Sequence, residues 1–296
     1  MSNSRKTIEV VAGAGGAKGP GLIGAFKALE EKNVAVGKIT GVSVGSLMAA
    51  FYANGYTADE LANIFISEPL RQRVAERINS PLAWLNPAHF VTGVVDLLPH
   101  FEMLVEKYGL KPRRNLRIIA WNLLSREPVV FEGTRYNLAK ALAASCAIPG
   151  VMRPVIYHPD VTGDQKFVSK IAAITMASPG VLFDGGMHHL HPTEFSKGPA
   201  IVFKLGAATR LPIERPKPIE AVFHVAEMFA GRFMGKMSPE SAEDIVIPVG
   251  PSDLGGVTFS VSDQKCRSMI EEGYRAACSM LDEAINLGRV PLLSSV

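Results

Sequence analysis

The sequence predicts an α/β protein: a central, mostly parallel sheet with crossover helices and a helical insertion. Three observations carry this. Two strand-turn-helix units follow each other within the first 54 residues, each a β-branched run that meets glycine before an apolar run at helical spacing. A stretch of helical pattern punctuated by Pro69, Pro81, Pro87 and Pro99 comes next, and four further short apolar runs have strand character. Tandem strand-turn-helix units need crossover connections, which make their strands parallel.

The first strand is predicted at Ile8-Glu9-Val10-Val11, closed by the glycine cluster that begins at Gly13. Leu22, Ile23, Phe26, Ala28 and Leu29 then recur as one face of a helix. Lys38 to Val42 reads as a buried strand, and Ser46 to Asn54 as an apolar helix stopped at Gly55. Thr57 to Tyr108 is helical by pattern, with Asp59 and Glu60 at a helix start. Leu116 to Asn122 and Pro128 to Phe131 are strands, followed by a helix from Leu138 to Cys146. Pro149, Pro154 and Pro159 are expected to break regular structure. Val181 to Phe183 and Ala200 to Leu205 complete the strands, and helices are expected over 219–236 and 262–287. The absence of repeats or a separating linker predicts one domain over 1–296, its chemistry-bearing blocks in 7–205 and a helical completion in 206–296.

The chain has 296 residues, 47% hydrophobic and 20% charged, enough for a large core and too apolar for intrinsic disorder. Its net charge of +3 is spread along the chain without basic clusters or interleaved aromatics, which argues against nucleic acid as a partner. Three cysteines, Cys146, Cys266 and Cys278, form no CxxC pair and point to a reducing compartment. No apolar signal region opens the sequence and no run of eighteen apolar residues occurs, so a cytoplasmic protein without a membrane span is expected.

The sharpest chemical signal is Gly41-Val42-Ser43-Val44-Gly45, a Gly-x-Ser-x-Gly between a predicted strand and a predicted helix. A serine on such a turn is exposed for attack, and its flanking glycines avoid clashes with the neighbouring strand and helix. The second is Gly13-Ala14-Gly15-Gly16-Ala17-Lys18-Gly19, whose backbone N–H groups suit either a phosphate or a developing oxyanion. Gly19, Gly21 and Gly24 also match dinucleotide-fold spacing, but no Asp or Glu lies between Glu31 and Asp59 to bind a ribose. The third is Asp184-Gly185-Gly186 at a strand end, where a carboxylate can take a proton from Ser43 directly or through a water. His188, His189 and His191 lack a metal-ligand pattern and read as exposed loop residues, with an Asp184-His188 pairing as the triad alternative. Cys146 reads as a packed thiol and no metal site is expected.

These three blocks, in this order, resemble the patatin-like phospholipase family. The family's Gly-Gly-Gly-x-Arg/Lys-Gly box is matched by Gly15, Gly16, Lys18 and Gly19, with Gly24 five further on. The resemblance extends more loosely to Ala144-Ser145-Cys146-Ala147-Ile148-Pro149 and to the C-terminal Glu272-Gly273-Tyr274. It implies a three-layer α/β/α fold and lipid acyl hydrolysis by a Ser-Asp dyad without histidine. Ser43 then matches the nucleophile, Asp184 the base, and Gly15, Gly16 and Ala17 the oxyanion hole, with Lys18, Gly19, Gly41, Gly45, Gly185 and Gly186 as supporting motif positions. Ala14 departs from the first glycine of the box, His191-Pro192 from the usual Asn-Pro, and Asp160 to Gly180 forms an insertion.

The expected chemistry is attack by Ser43 on an ester carbonyl while Asp184 takes the proton, then hydrolysis of the acyl-serine, with no cofactor. Lys18 is expected to order the glycine loop or to meet an anionic head group. The partner is a lipid or acyl ester, of the phospholipase A or lysophospholipase type. An acyltransferase or thioesterase on the same scaffold, or a silent lipid-binding protein, is the alternative. A Met- and Phe-rich basic stretch from Val222 to Met237 fits either core packing or peripheral membrane contact. Oligomeric state leaves no trace in the sequence.

Overall fold

The computed structural model describes residues 6–85, 92–157, 165–167, 180–205, 241–251 and 261–293. Its strands are β1 (Ile8–Ala12), β2 (Val36–Val42), β3 (Leu116–Asn122), β4 (Glu127–Glu132), β5 (Val155–Tyr157), β6 (Gln165–Phe167), β7 (Gly180–Asp184), β8 (Ala200–Lys204) and β9 (Ile245–Pro248). The helices are α1 (Pro20–Glu31), α2 (Val44–Ala53), α3 (Ala58–Ser67), α4 (Leu70–Asn79), α5 (Leu98–Lys107), α6 (Leu138–Ser145) and α7 (Asp263–Asn286). The fold is α/β with one mixed sheet.

β3, β2, β1, β8 and β9 run parallel in that spatial order, as the strand-turn-helix units require. The rest of the sheet is antiparallel, which tempers the expectation of a mostly parallel one. The reason is connection length: four residues join β3 to β4, enough for a hairpin and far too few for a crossover.

β4 lies along one whole edge of β3, so β2 and β7 share the other edge. β2 stops with Val42 beside Ile119, and β7, running the opposite way, stops with Asp184 beside Ala120. The two strands therefore meet end to end. This junction brings together residues 141 positions apart in the chain.

Helices α1, α2, α6 and α7 pack on the sheet face that presents Val10, Ala12, Ile39, Ile118, Phe131, Ile201, Phe203 and Ile247, forming one continuous apolar core. The opposite face carries Val42, Ile119 and Val130 under Leu190 and Phe195, and a second cluster of Val11, Ala200 and Val202. It also holds a buried ionic network. Arg117 donates to Thr40 Oγ1 at 3.0 Å and reaches Glu9 at 3.3 Å and Glu132 at 3.5 Å, while Lys38 pairs with Glu132.

The helical insertion is α3, α4 and α5. Thr57 and Glu60 form a reciprocal capping box at the start of α3, which satisfies backbone donors there. Three strands depart from the sequence reading. β5 forms between Pro154 and Pro159 because a three-residue edge pairing against β7 tolerates proline on both flanks. β6 lies inside the predicted insertion, paired with β4. β9 adds a parallel strand to a region expected to be helical, since β8 offers it an edge. The expected 219–236 helix, the 222–237 stretch and most of 160–180 lie outside the described residues.

Candidate active site

Between β2 and α2 the chain turns at Ser43, whose φ of 54° is left-handed and unusual for a residue with a side chain. The turn fits because the residues two before and two after Ser43 carry no Cβ. A Cβ at Gly41 would stand 2.4 Å from Ser46 Cα, and one at Gly45 would stand 2.1 Å from the Ala12 carbonyl oxygen. Close packing thus demands both glycines of the motif.

Two hydroxyls grip the backbone of Ser43. Its N–H donates to Ser145 Oγ at 2.9 Å, and Ser145 Oγ donates onward to the Ile119 carbonyl at 2.7 Å. Ser46 Oγ donates to the Ser43 carbonyl at 2.6 Å. Ser145 and Ser46 are fully buried, so these bonds are formed away from competing water.

Ser43 Oγ donates to Asp184 Oδ2 at 2.6 Å, and the Gly186 N–H donates to Asp184 Oδ1 at 2.7 Å. Asp184 is only 6% exposed. Burial outweighs both hydrogen bonds and pushes its carboxyl up to about 6. A carboxylate with a raised pKa is a stronger proton acceptor than an ordinary aspartate, and it is still ionised at neutral pH.

The glycine loop enters a short 3-10 turn over Gly16–Lys18. Lys18 and Gly19 donate back to Gly15 and Gly16, whereas the N–H groups of Gly15, Gly16 and Ala17 find no acceptor among the described residues. Gly16 and Ala17 border the same cavity as Ser43, and Gly15 lies against Leu205. Gly19 lies against Val44, and Gly185 against the Ile119 carbonyl. Lys18 is fully buried. Such enclosure counts against contact with a head group at the surface.

The histidines differ from the exposed loop predicted for them. His188 Nε2 lies 3.0 Å from Glu194 Oε1 and His189 Nδ1 lies 2.9 Å from Glu194 Oε2, so one carboxylate holds two rings. His189 is 3% exposed and His191 2%, the latter ring packed where a Cβ at Gly13 would be. Burial would raise the Glu194 carboxyl, but hydrogen bonds from His188 and His189 outweigh it and hold it down at about 2. No histidine stands between Ser43 and Asp184, which are bonded directly, so the Asp184-His188 triad is not formed. Among the described residues no group of three or more His, Cys, Asp or Glu is placed to hold a metal. The Cys146 thiol borders the cavity, and burial, helped by the Asp184 charge, pushes its pKa up, which makes it a poor nucleophile.

The cavity in front of Ser43 has a volume of about 140 Å³ and is walled mainly by apolar side chains of α2, α3, α4 and α5. Ser43, Asp184 and the glycine loop are thus brought together as the motifs predict. Ser145 and Ser46 belong to the site without standing in the motif positions that mark Ser43 and Asp184. A signal for Ser145 existed in the Ala144 to Pro149 resemblance, but its hydrogen bond to Ser43 spans 102 positions of sequence.

The fold and site define a class: an α/β protein with a serine at a strained strand-to-helix turn, bonded to a buried carboxylate beside a glycine loop. Residues 10–195 match the model of the patatin-like phospholipase family, and the chain belongs to that family. It is 27% identical over 303 residues to the uncharacterized protein YqhO of Bacillus subtilis, covering 90% of this chain and 96% of that one. An uncharacterized NTE family protein of Mycobacterium tuberculosis is 30% identical over 156 residues, 51% of this chain and 40% of the relative. The crystal structure of VipD from Legionella pneumophila is similar with a TM-score of 0.45 and 14% identity, over 96% of this chain and 72% of that chain. Among the described residues no helix is long and apolar enough to cross a membrane.

Proposed function

We propose that the protein is a lipid acyl hydrolase of the phospholipase A or lysophospholipase type, with Ser43 as nucleophile and Asp184 as its base. The observation that carries this reading is the 2.6 Å bond from Ser43 Oγ to a buried carboxylate at the head of an apolar cavity. An ester carbonyl seated over Ser43 is attacked by Oγ as Asp184 Oδ2 takes the proton. The oxyanion forms beside the amides of Gly15, Gly16 and Ala17, donors with no competing acceptor among the described residues. Asp184 returns the proton to the leaving alkoxide, and the same carboxylate then activates a water that releases the fatty acid from Ser43.

This scheme needs no metal or organic cofactor. Three free cysteines favour a cytoplasmic setting. α7 packs along α1 and β9 extends the sheet, which favours one domain across 1–296.

The test is fluorophosphonate labelling with the adduct mapped by mass spectrometry, beside fatty-acid release from phospholipid vesicles. The expected result is an adduct on Ser43, absent in Ser43→Ala and strongly slowed in Asp184→Asn, with release falling in parallel. Folded protein that takes no label, or release that survives Ser43→Ala, overturns the reading.

A further inference from the structure

The α2 wall of the cavity has an identifiable length. Ser43 sits at the first turn of α2, and the same helix contributes Leu47, Met48 and Phe51 to the cavity wall. From Ser43 to Phe51 is about 12 Å along the axis, the reach of roughly nine carbon–carbon bonds in an extended chain. The volume of about 140 Å³ is close to the roughly 150 Å³ of a dry protein cavity that takes one benzene, so six carbons already fill much of it.

The Phe51 end of that wall is braced. The Phe51 ring meets Tyr56 at 5.3 Å and Tyr108 at 5.4 Å, both edge to face, and Tyr56 and Tyr108 touch each other. Beside them Glu68, 8% exposed and on the cavity wall, accepts hydrogen bonds from Lys107 at 2.5 Å and from the Tyr108 hydroxyl. Three mutually packed rings and a paired carboxylate make a wall that resists displacement by a longer chain. The end is also wrong chemically for more methylene, because a chain pushed past Phe51 meets an ion pair.

We propose that the cavity from Ser43 to Phe51 selects a medium-length acyl group, about six to ten carbons. This rests on the reading of Ser43 as nucleophile and goes beyond it by naming the acyl class. Each methylene added within that length leaves water for an apolar wall, and kcat/KM rises about two- to fourfold per methylene. Beyond that length the gain stops.

The experiment is kcat/KM for p-nitrophenyl esters from butyrate to palmitate, each kept below its micelle concentration, in wild type, Ser43→Ala, Phe51→Ala and Leu47→Phe. Expected is a Ser43-dependent rise to a maximum between hexanoate and decanoate, then a plateau or decline. Phe51→Ala moves the maximum two or more carbons longer, and Leu47→Phe moves it shorter. No Ser43-dependent hydrolysis at any length overturns the catalytic reading itself. Ser43-dependent hydrolysis that climbs without a break to palmitate, or a maximum unmoved in folded Phe51→Ala, overturns the length selection and leaves the catalytic reading in place. If Phe51→Ala fails to fold, the wild-type series and Leu47→Phe decide.

Discussion

The Ser145 hydroxyl accepts the backbone N–H of Ser43 at 2.9 Å while donating to the Ile119 carbonyl of the central strand. The strained residue at the head of α2 is thereby tied through α6 to β3, the strand along whose edge β2 and β7 meet. Removing that hydroxyl leaves the Ser43 N–H and the Ile119 carbonyl without this partner, at a cost of about 1–3 kcal/mol. Ser145→Ala is expected to lower kcat at least tenfold with little change in KM, because substrate still fits the cavity but the attacking oxygen is held less well. Steady-state kinetics with the rate of fluorophosphonate labelling check this. A fall in stability with unchanged kcat would make Ser145 a packing residue alone.

The pH dependence of the reaction follows from Asp184. Its carboxyl, pushed up to about 6 by burial, must be ionised to take the Ser43 proton. The acidic limb of kcat/KM against pH is expected to have its midpoint near 6, about two units above that of an ordinary aspartate. A midpoint near 4 would mean that the carboxylate is better solvated than its surroundings indicate.

Much of this arrangement is legible in the sequence. The two strand-turn-helix units were marked by β-branched runs meeting glycine, and Ser43 and Asp184 each stand at a strand end where their motifs placed them. The sequence leaves direct contact and a water-bridged one equally open, since the contact depends on β2 and β7 sharing one edge of β3, which no local pattern encodes. β5, β6 and β9 have no local signature for the same reason: strands of three or four residues carry too little periodicity and are held by their partners. The histidines read as exposed because polar residues in a loop suggest solvent, whereas His189 and His191 are buried. Glu194, six residues beyond His188, holds both that half-exposed ring and the buried ring of His189.

The same buried carboxylate has a cost in stability. Asp184 titrates at about 6 in the folded protein, above its ordinary value of 3.8, so the folded state holds that proton more tightly than the unfolded chain does. The associated stability is fully present below pH 4 and is lost as pH rises through 6, a loss on the order of 3 kcal/mol by pH 8. Asp184→Asn keeps the shape and carries no charge. It is expected to be inactive, and to gain stability relative to wild type between pH 4.5 and pH 8, as urea denaturation at the two pH values would measure. A gap that does not change with pH would mean that ionised Asp184 is fully compensated by its hydrogen bonds.

The final prediction concerns the segment after Asp184. The Leu190 carbonyl accepts the Ala14 N–H at 2.9 Å, so the stretch held by His188, His189 and Glu194 also braces the loop that presents the Gly15 to Ala17 amides. Glu194→Gln keeps the size but replaces one acceptor oxygen by a donor, so both rings can no longer be held in the same way. The expected outcome is a kcat lowered several-fold to tenfold with KM nearly unchanged, because amides aimed at the oxyanion act mainly in the transition state. The carboxyl, held down at about 2, adds a pH signature of its own. Its contribution to stability is present above the unfolded value near 4.5 and lost as pH falls toward 2, so wild type and Glu194→Gln should converge in acid. Kinetics at pH 7.5, with thermal unfolding followed from pH 7 down to 3, separate the two effects. A lower melting temperature with kcat unchanged would confine the Glu194 clasp to holding the loop together and leave the amides aimed by the 3-10 turn alone.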